Sequence, residues 1–180
     1  MNGICGLPVL ACPNPGFLVC LKRNIPIYGS DLTCRLLKTR SRETMKKMVA
    51  WLKDPKYQKY RDVYKNFNFV EPTNLFDIYT NQIITLGQEK VEAYFPGPTH
   101  TYDNIVVYIP KKRILFGGCM ILSAKAKNLG FIDDGNINEW AASIKNVQKT
   151  FPDITIVVPG HGTIGGSRLL DHTISIVNKY

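Results

Sequence analysis

Three short loops, each starting where an apolar run ends, constrain this 180-residue chain more than any other feature. They carry His100, Cys119 and His161, which are two of the chain's three histidines and the one cysteine that lies apart from the rest. Imidazoles and thiolates at strand ends can converge on one metal ion, and two imidazoles with one sulfur suit zinc. We therefore expect the chain to fold so that these three loops meet.

The composition indicates a globular protein and excludes several classes. A hydrophobic fraction of 44% with 11% aromatic residues predicts a buried core. The length of 180 residues predicts a single domain over 1–180. No apolar run reaches the roughly 18 residues that a membrane span needs, so no membrane partner is expected. The first residues lack a basic region followed by an apolar core, so no export signal is predicted.

The net charge of +9 is concentrated in one segment. Between residues 35 and 66, eleven lysines and arginines accompany only three acidic residues. Aromatic residues interleave with these charges, as they do in some nucleic-acid-binding surfaces: Trp51, Tyr57, Tyr60 and Tyr64. Because no nucleic-acid-binding motif accompanies them, we favour a solvated basic face on a helical insertion and expect no nucleic-acid partner.

The other cysteines lie within the first 34 residues: Cys5, Cys12, Cys20 and Cys34. Their spacing contains no C-x-x-C pair, so they form neither a zinc ribbon nor a redox motif. Buried thiols are the first interpretation, and a disulfide in an oxidising compartment is the alternative.

The hydrophobic pattern divides the chain into an irregular, helical part over 1–70 and a regular part over 75–180. In the first part it predicts a helix that is capped by Ser30 or Asp31 and runs through 35–38, and further helices at 44–52 and 57–67. In the second part it predicts strands at 76–86, 91–95, 105–109, 114–116 and 154–158. Helices are predicted there at 136–150 and 169–177. Strands followed by helices predict a layered α/β fold.

Several motifs together resemble one family, the metallo-β-lactamases. Residues 91–108, with Gly-Pro-Thr-His-Thr-Tyr-Asp-Asn at their centre, are similar to the family's third-histidine segment. Ile-Leu-Phe-Gly-Gly-Cys at 114–119 resembles its cysteine ligand, and Val-Val-Pro-Gly-His-Gly at 157–162 resembles its last histidine ligand. Asn128-Leu129-Gly130, the pair Asp133-Asp134 and Trp140 resemble the intervening loop and helix. The resemblance implies a metallo-β-lactamase-like αββα sandwich, of which the chain contains mostly the C-terminal half.

The resemblance also implies a chemistry and a set of ligands. Family members hydrolyse the β-lactam ring with one or two zinc ions, and bound zinc lowers the pKa of water to roughly 7. The cysteine points to the subclass whose second zinc site contains Cys, rather than to thioester hydrolases with Asp there. On this basis His100, Cys119 and His161 are the expected ligands and share at most one zinc. Lys125 or Lys127 is a candidate for holding the substrate carboxylate.

Departures from the family pattern predict impaired activity. The family's H-x-H-x-D motif is missing, since no histidine precedes His100, and Asn2 falls at the position of its aspartate. We therefore expect a chain that is truncated at its N-terminus. Leu122 replaces a lysine that often holds the substrate carboxylate, and Phe131 replaces a frequent asparagine.

Two other readings remain open beside a β-lactamase. The first is a zinc-binding remnant without activity, and the second is another hydrolase of the same superfamily. Whichever of these functions is correct, His172 is expected to pack within the terminal helix rather than to bind metal. A monomer is expected, and the resemblance implies a periplasmic or secreted location.

Overall fold

Two compact units make up the computed structural model, which describes residues 22–65 and 69–180. Unit one contains the described residues up to Asp77, and unit two contains residues 78–180. The expectation of a single domain over 1–180 stays a prediction. Asn2, Cys5, Cys12 and Cys20 lie outside the described residues, as does the end of the helix predicted at 57–67.

Unit one is built around one long helix. Strand β1 (Tyr28–Ser30) leads into helix α1 (Asp31–Trp51), and a 3-10 turn leads into helix α2 (Gln58–Lys65). Strand β2 (Asn74–Phe76) pairs in parallel with β1. The Ser30 hydroxyl accepts a hydrogen bond from the Thr33 amide at 2.9 Å, which caps α1 as predicted.

The prediction of separate helices at 35–38 and 44–52 is wrong, because α1 runs through both. The polar residues between them do not end the helix. Ser41 and Thr44 are buried on its inner face, at 9% and 2% exposure. Thr39 Oγ1 donates to the Arg35 carbonyl at 2.9 Å, so this hydroxyl is satisfied within the helix.

Cys34 confirms the interpretation as a buried thiol for the one early cysteine that the structure describes. It is free and buried, with Sγ 3.4 Å from Oε2 of Glu71. Lys38 forms an ion pair with the same carboxylate at 3.1 Å. The carboxylate of Glu71 therefore joins two turns of α1 to the segment before β2.

Unit two contains a five-stranded sheet in the order β3-β4-β5-β6-β7. The pairs from β3 to β6 are antiparallel, and β6 and β7 are parallel. The strands are β3 (Gln82–Leu86), β4 (Glu89–Tyr94), β5 (Val106–Ile109), β6 (Ile114–Gly118) and β7 (Ile156–Pro159). The strands predicted at 105–109 and 114–116 correspond to β5 and β6, which form a hairpin whose connection ends at Arg113 with a positive φ of 52°.

Two helices cover apolar residues of this sheet. Helix α3 (Ile137–Thr150) begins after Asn136, and helix α4 (Arg168–Val177) lies near the end of the chain. Both were predicted to within about one residue, which is the usual uncertainty of helix ends. Trp140, Ile144 and Val147 of α3 belong to one buried cluster with Leu115 of β6 and Val157 of β7. This cluster is the core beneath the candidate site.

The strand predicted at 76–86 is wrong as one element. Phe76 ends β2 in unit one, and β3 begins only at Gln82. The residues between them form a turn, and residues 79–81 are all exposed, so the alternation of buried and exposed side chains that a strand needs ends there. No helix within 22–65 and 69–180 has the length and apolarity needed to cross a membrane.

Candidate metal centre

Cys119 and His161 come together because the strands before them are parallel neighbours. Cys119 follows the last residue of β6, and His161 comes two residues after the end of β7. The carboxyl ends of paired parallel strands meet at the same edge of a sheet. Sγ of Cys119 accordingly lies 3.5 Å from Nε2 of His161. These two residues are 42 positions apart in the sequence and come into contact only through the fold.

A backbone contact at Gly160 fixes this pair. The Gly160 amide donates to the Gly118 carbonyl at 2.7 Å. A Cβ at position 160 would lie 2.7 Å from the Cys119 nitrogen and 2.9 Å from its sulfur. Only glycine allows two backbone segments to approach this closely. The loop that carries His161 therefore touches the backbone of the loop that carries Cys119.

His100 lies on the loop between β4 and β5, and the side chain of Asn104 holds the backbone on both sides of it. Oδ1 of Asn104 accepts from the Thr99 hydroxyl and from the Thr101 amide, both at 2.7 Å. Thr99, Thr101 and Asn104 are each 0% exposed. Three buried residues therefore set the conformation of the loop at His100.

Helix α3 holds the same loop from its other side. The Asn136 amide donates to the Thr99 carbonyl at 2.7 Å, and the Ser143 hydroxyl donates to the Pro98 carbonyl at 2.9 Å. Gly97 adopts a φ of 124°, and a Cβ there would lie 2.5 Å from Oγ of Ser143. Glycine at 97 therefore meets both a backbone and a packing requirement.

Trp140 of α3 connects the loop of His100 to the loop of Cys119. Its ring meets the His100 ring edge to face, with centroids 5.9 Å apart and an interplanar angle of 88°. Its indole N–H donates to the carbonyl of Met120, the residue after Cys119, at 2.9 Å. Because Trp140 is 0% exposed, one rigid side chain positions both loops.

The electrostatics keep His100 uncharged. Burial, and then the nearby His161, lower the pKa of His100 from 6.5 to about 4. Its Nδ1 is buried and has no hydrogen-bond partner among the described residues. A neutral imidazole with an unengaged nitrogen is the form in which histidine binds metal ions.

Not every predicted ligand joins one cluster. Among residues 22–65 and 69–180, no group of three or more His, Cys, Asp or Glu side chains is arranged to hold a metal ion. The structure thus brings Cys119 and His161 into contact but does not gather His100 with them into a three-ligand group. The assignment of all three as ligands stays a prediction.

The remaining candidates lie on the segment after Cys119 and on α4. Lys125 and Lys127 are exposed and line a shallow pocket with His172 of α4. Nε2 of His172 donates a hydrogen bond to the Ala126 carbonyl at 3.2 Å, which is a structural contact. Leu122 packs against the core, and Phe131 is 7% exposed.

Asn104 and Trp140 were missed as supporting residues. Asn104 stands four residues after His100, and this spacing alone resembles any polar turn. Trp140 falls on the apolar stripe of α3, so its periodicity predicts only a core residue. A buried Trp needs a partner for its N–H, which was the one signal that pointed to a second role.

Comparison with known proteins gives one family match and several relatives. A model of the metallo-beta-lactamase superfamily matches residues 23–161. A type 2 metallo-beta-lactamase of Bacillus sp. (strain 170) is 46% identical over 113 residues, which are 63% of this chain and 43% of the relative. The type 2 enzyme of Bacillus cereus is 44% identical over the same shares of both chains.

A solved structure extends the match to the fold. The metallo-beta-lactamase from Pontibacter korlensis aligns with a TM-score of 0.75 at 30% identity. The alignment covers 97% of this chain and 68% of that structure. It confirms the predicted fold class. The chain matches less than half the length of the curated relatives and about two thirds of the solved structure.

Proposed function

Because the chain belongs to the metallo-β-lactamase superfamily, we propose that it takes part in zinc-dependent hydrolysis of the β-lactam ring. The observation that carries this proposal is the contact between Cys119 and His161 at the ends of β6 and β7. These residues occupy the positions of the family's cysteine and last histidine ligands. The superfamily uses zinc, and its β-lactamases act on small-molecule β-lactams.

The distance between Cys119 and His161 supports zinc as their ligand. Zn–S bonds of about 2.3 Å and Zn–N bonds of about 2.0–2.1 Å at a tetrahedral angle separate the sulfur and nitrogen by about 3.6 Å. Sγ of Cys119 lies 3.5 Å from Nε2 of His161. A thiol–imidazole hydrogen bond has a similar length, so metal analysis decides between the two.

His100 is proposed as a further ligand, at the position of the family's third histidine. Its depressed pKa of about 4 keeps the ring neutral near pH 7, and its Nδ1 has no competing partner. Bound zinc would act as a Lewis acid and lower the pKa of a water molecule to roughly 7. The role of His100, Cys119 and His161 would be to hold the metal; Asn104 supports the loop of His100, and Trp140 supports the loops of His100 and Cys119.

Lys125 or Lys127 is proposed to hold the substrate carboxylate. Leu122 cannot do so, because its side chain is apolar and packs against the core. Both lysines are exposed and follow Cys119 on the same loop. An exposed ammonium on a loop is less preorganised than a buried one, so we expect weak substrate binding.

A zinc-binding remnant without activity is the second candidate, and one observation favours it. No three-ligand group is formed within residues 22–65 and 69–180.

We also propose a monomer in a periplasmic or secreted location, as the resemblance implies. Another hydrolase of the superfamily is less well supported, because Cys119 stands where thioester hydrolases have Asp.

Zinc analysis of purified protein tests the ligand assignment. We expect at most one zinc per chain, and Cys119→Ser should remove most of it because the thiolate is lost. Cys34→Ser is the matched control, since Cys34 is also a free, buried thiol but lies in unit one. No zinc in the wild type, or equal zinc in the two variants, would contradict the assignment.

Turnover of a chromogenic cephalosporin, with and without a chelator, separates the two candidates. Activity that the chelator removes, below the usual range of about 1–10³ per second, would support an impaired hydrolase. Bound zinc with no turnover would identify the remnant. Turnover that persists with the chelator would exclude the zinc mechanism.

A further inference from the structure

A groove on unit one lies outside the candidate metal centre and belongs to the basic segment. It is formed by one face of α1, the end of α2 and Phe69, and it encloses about 520 Å³. Ligand-binding pockets usually enclose about 300–1,000 Å³. The groove therefore has room for a small molecule, and its lining determines the chemistry of that molecule.

Two cations stand on one edge of the groove. Arg42 and Lys46 are one turn apart on α1, so they occupy the same side of the helix. Both are exposed, and neither forms an ion pair or hydrogen bond with a described residue. Like charges at this spacing destabilise a helix. An anion between them would relieve that repulsion.

Other cations on the same helix behave differently. Arg35 pairs with Asp31 at 3.2 Å, and Lys47 pairs with Glu43 at 3.1 Å. None of the described residues that line the groove is acidic. The unopposed charge of Arg42 and Lys46 is thus a local property of the groove edge and does not extend along all of α1.

The inner surface of the groove is apolar. Met45 and Val49 form a second stripe on α1, next to the stripe of the cations, and Phe69 and the ring of Tyr64 extend this apolar surface. Ser41 and Lys65 also line the groove, and Lys65 lies 3.9 Å from the carboxylate of Asp62. Met45 is only 8% exposed. Apolar surface beside two neighbouring cations suits a molecule with an anionic end and a hydrocarbon body.

We propose that this groove binds a small amphipathic anion, a carboxylate joined to an unbranched hydrocarbon chain. The carboxylate lies between Arg42 and Lys46, and the chain packs along Met45, Val49 and Phe69. The guanidinium of Arg42 can bind both carboxylate oxygens. This site is independent of the proposed zinc chemistry in unit two.

Calorimetric titration with decanoate, below the concentration at which it forms micelles, tests the proposal. The wild type should bind one molecule per chain, and affinity should rise from hexanoate to decanoate as more methylene groups are buried. The double variant Arg42→Gln/Lys46→Gln should lose about three- to thirty-fold in affinity, from two partly exposed ion pairs. Decanol should bind the wild type about as weakly as decanoate binds this variant.

The matched control is Lys53→Gln/Lys59→Gln, which removes the same charge from the same unit but outside the groove. Its decanoate affinity should stay within about twofold of the wild type, since distant exposed charges are screened. An equal loss in both double variants would overturn the proposal in favour of nonspecific attraction. So would binding to anionic vesicles without binding to monomeric decanoate, or equal affinity for decanoate and decanol.

Discussion

Among the described residues, the unit with the candidate site and the unit with the basic segment differ in the size of their clusters of buried apolar residues. In unit two, sixteen buried residues form one cluster that includes parts of β5, β6, β7, α3 and α4. In the described part of unit one, the corresponding cluster has three buried residues, Ile27, Leu37 and Val70. The loops of the candidate ligands His100, Cys119 and His161 would need a rigid support, and the larger cluster lies in their unit.

The two units also differ in how they use polar groups. In unit two, Asn104 and Trp140 make buried hydrogen bonds that fix the loops of His100 and Cys119. In unit one, the ion pairs along α1 are largely exposed, with side-chain exposures of 41–70% for the pairs at Asp31 and Glu43. Exposed pairs contribute little to stability. The polar groups of α1 in unit one therefore form a charged surface, whereas those of Asn104 and Trp140 in unit two fix the conformation of two loops.

The largest difference in stability loss between the two units is expected when the chain's two tryptophans are each replaced by alanine. Trp140→Ala should lower the free energy of unfolding by about 3–5 kcal/mol, because it leaves a cavity in the core of unit two. Trp51→Ala should change it by no more than about 0.5 kcal/mol, since Trp51 is 55% exposed. Urea denaturation followed by circular dichroism measures both. Similar losses would show that the two units do not differ as their cores suggest.

A smaller difference in stability loss is expected when two asparagines, one in each unit, are replaced by alanine. Asn104→Ala should cost about 1–3 kcal/mol, because the Thr99 hydroxyl and the Thr101 amide lose their buried acceptor. Asn74→Ala in unit one should stay within about 0.5 kcal/mol, since its bond with the Thr73 hydroxyl is exposed. The same denaturation experiment applies. A cost at Asn74 equal to that at Asn104 would refute the role assigned to burial.

The smallest effect concerns Tyr108, and the loss of its contribution begins only in alkaline solution. Burial, and then its bond of 2.7 Å to Asp153, raise the pKa of Tyr108 from 10.0 to about 12. The unfolded chain thus releases this proton at lower pH than the folded chain does. The contribution of Tyr108 to stability is complete below pH 10 and is lost between about pH 10 and 12.

Denaturation at pH 9 and pH 11 measures this contribution in the wild type and in Tyr108→Phe. The wild type should lose more stability between the two values than the variant does, because the variant has no hydroxyl to ionise. Equal losses would mean that other groups account for the whole alkaline decline.

The sheet of unit two was largely predictable because its strands are consecutive. The hairpin of β5 and β6 follows from two apolar runs around a proline-containing turn, and each strand pairs with its neighbour in the sequence. The parallel pairing of β1 with β2 could not be predicted in the same way. Those strands are short, and 43 residues separate Ser30 from Asn74.

The candidate site was predictable in its residue types but not in its supports. His100, Cys119 and His161 stand out because glycines or a strand end accompany each of them. The contact between Cys119 and His161 depends on the parallel pairing of β6 and β7, which local patterns do not encode. The roles of Asn104 and Trp140 depend on burial and on long-range hydrogen bonds, which appear only in the folded chain.

The backbone contact between Gly160 and Gly118 has a consequence for how this chain can vary. Because the amide of Gly160 and the carbonyl of Gly118 are joined directly, the distance between Cys119 and His161 does not depend on the length of the segment from 120 to 155. That segment includes the loop after Cys119 and the exposed face of α3. Insertions in its exposed loops are therefore expected to leave the Cys119–His161 distance unchanged, so sequence length can drift there while the pair is inherited intact.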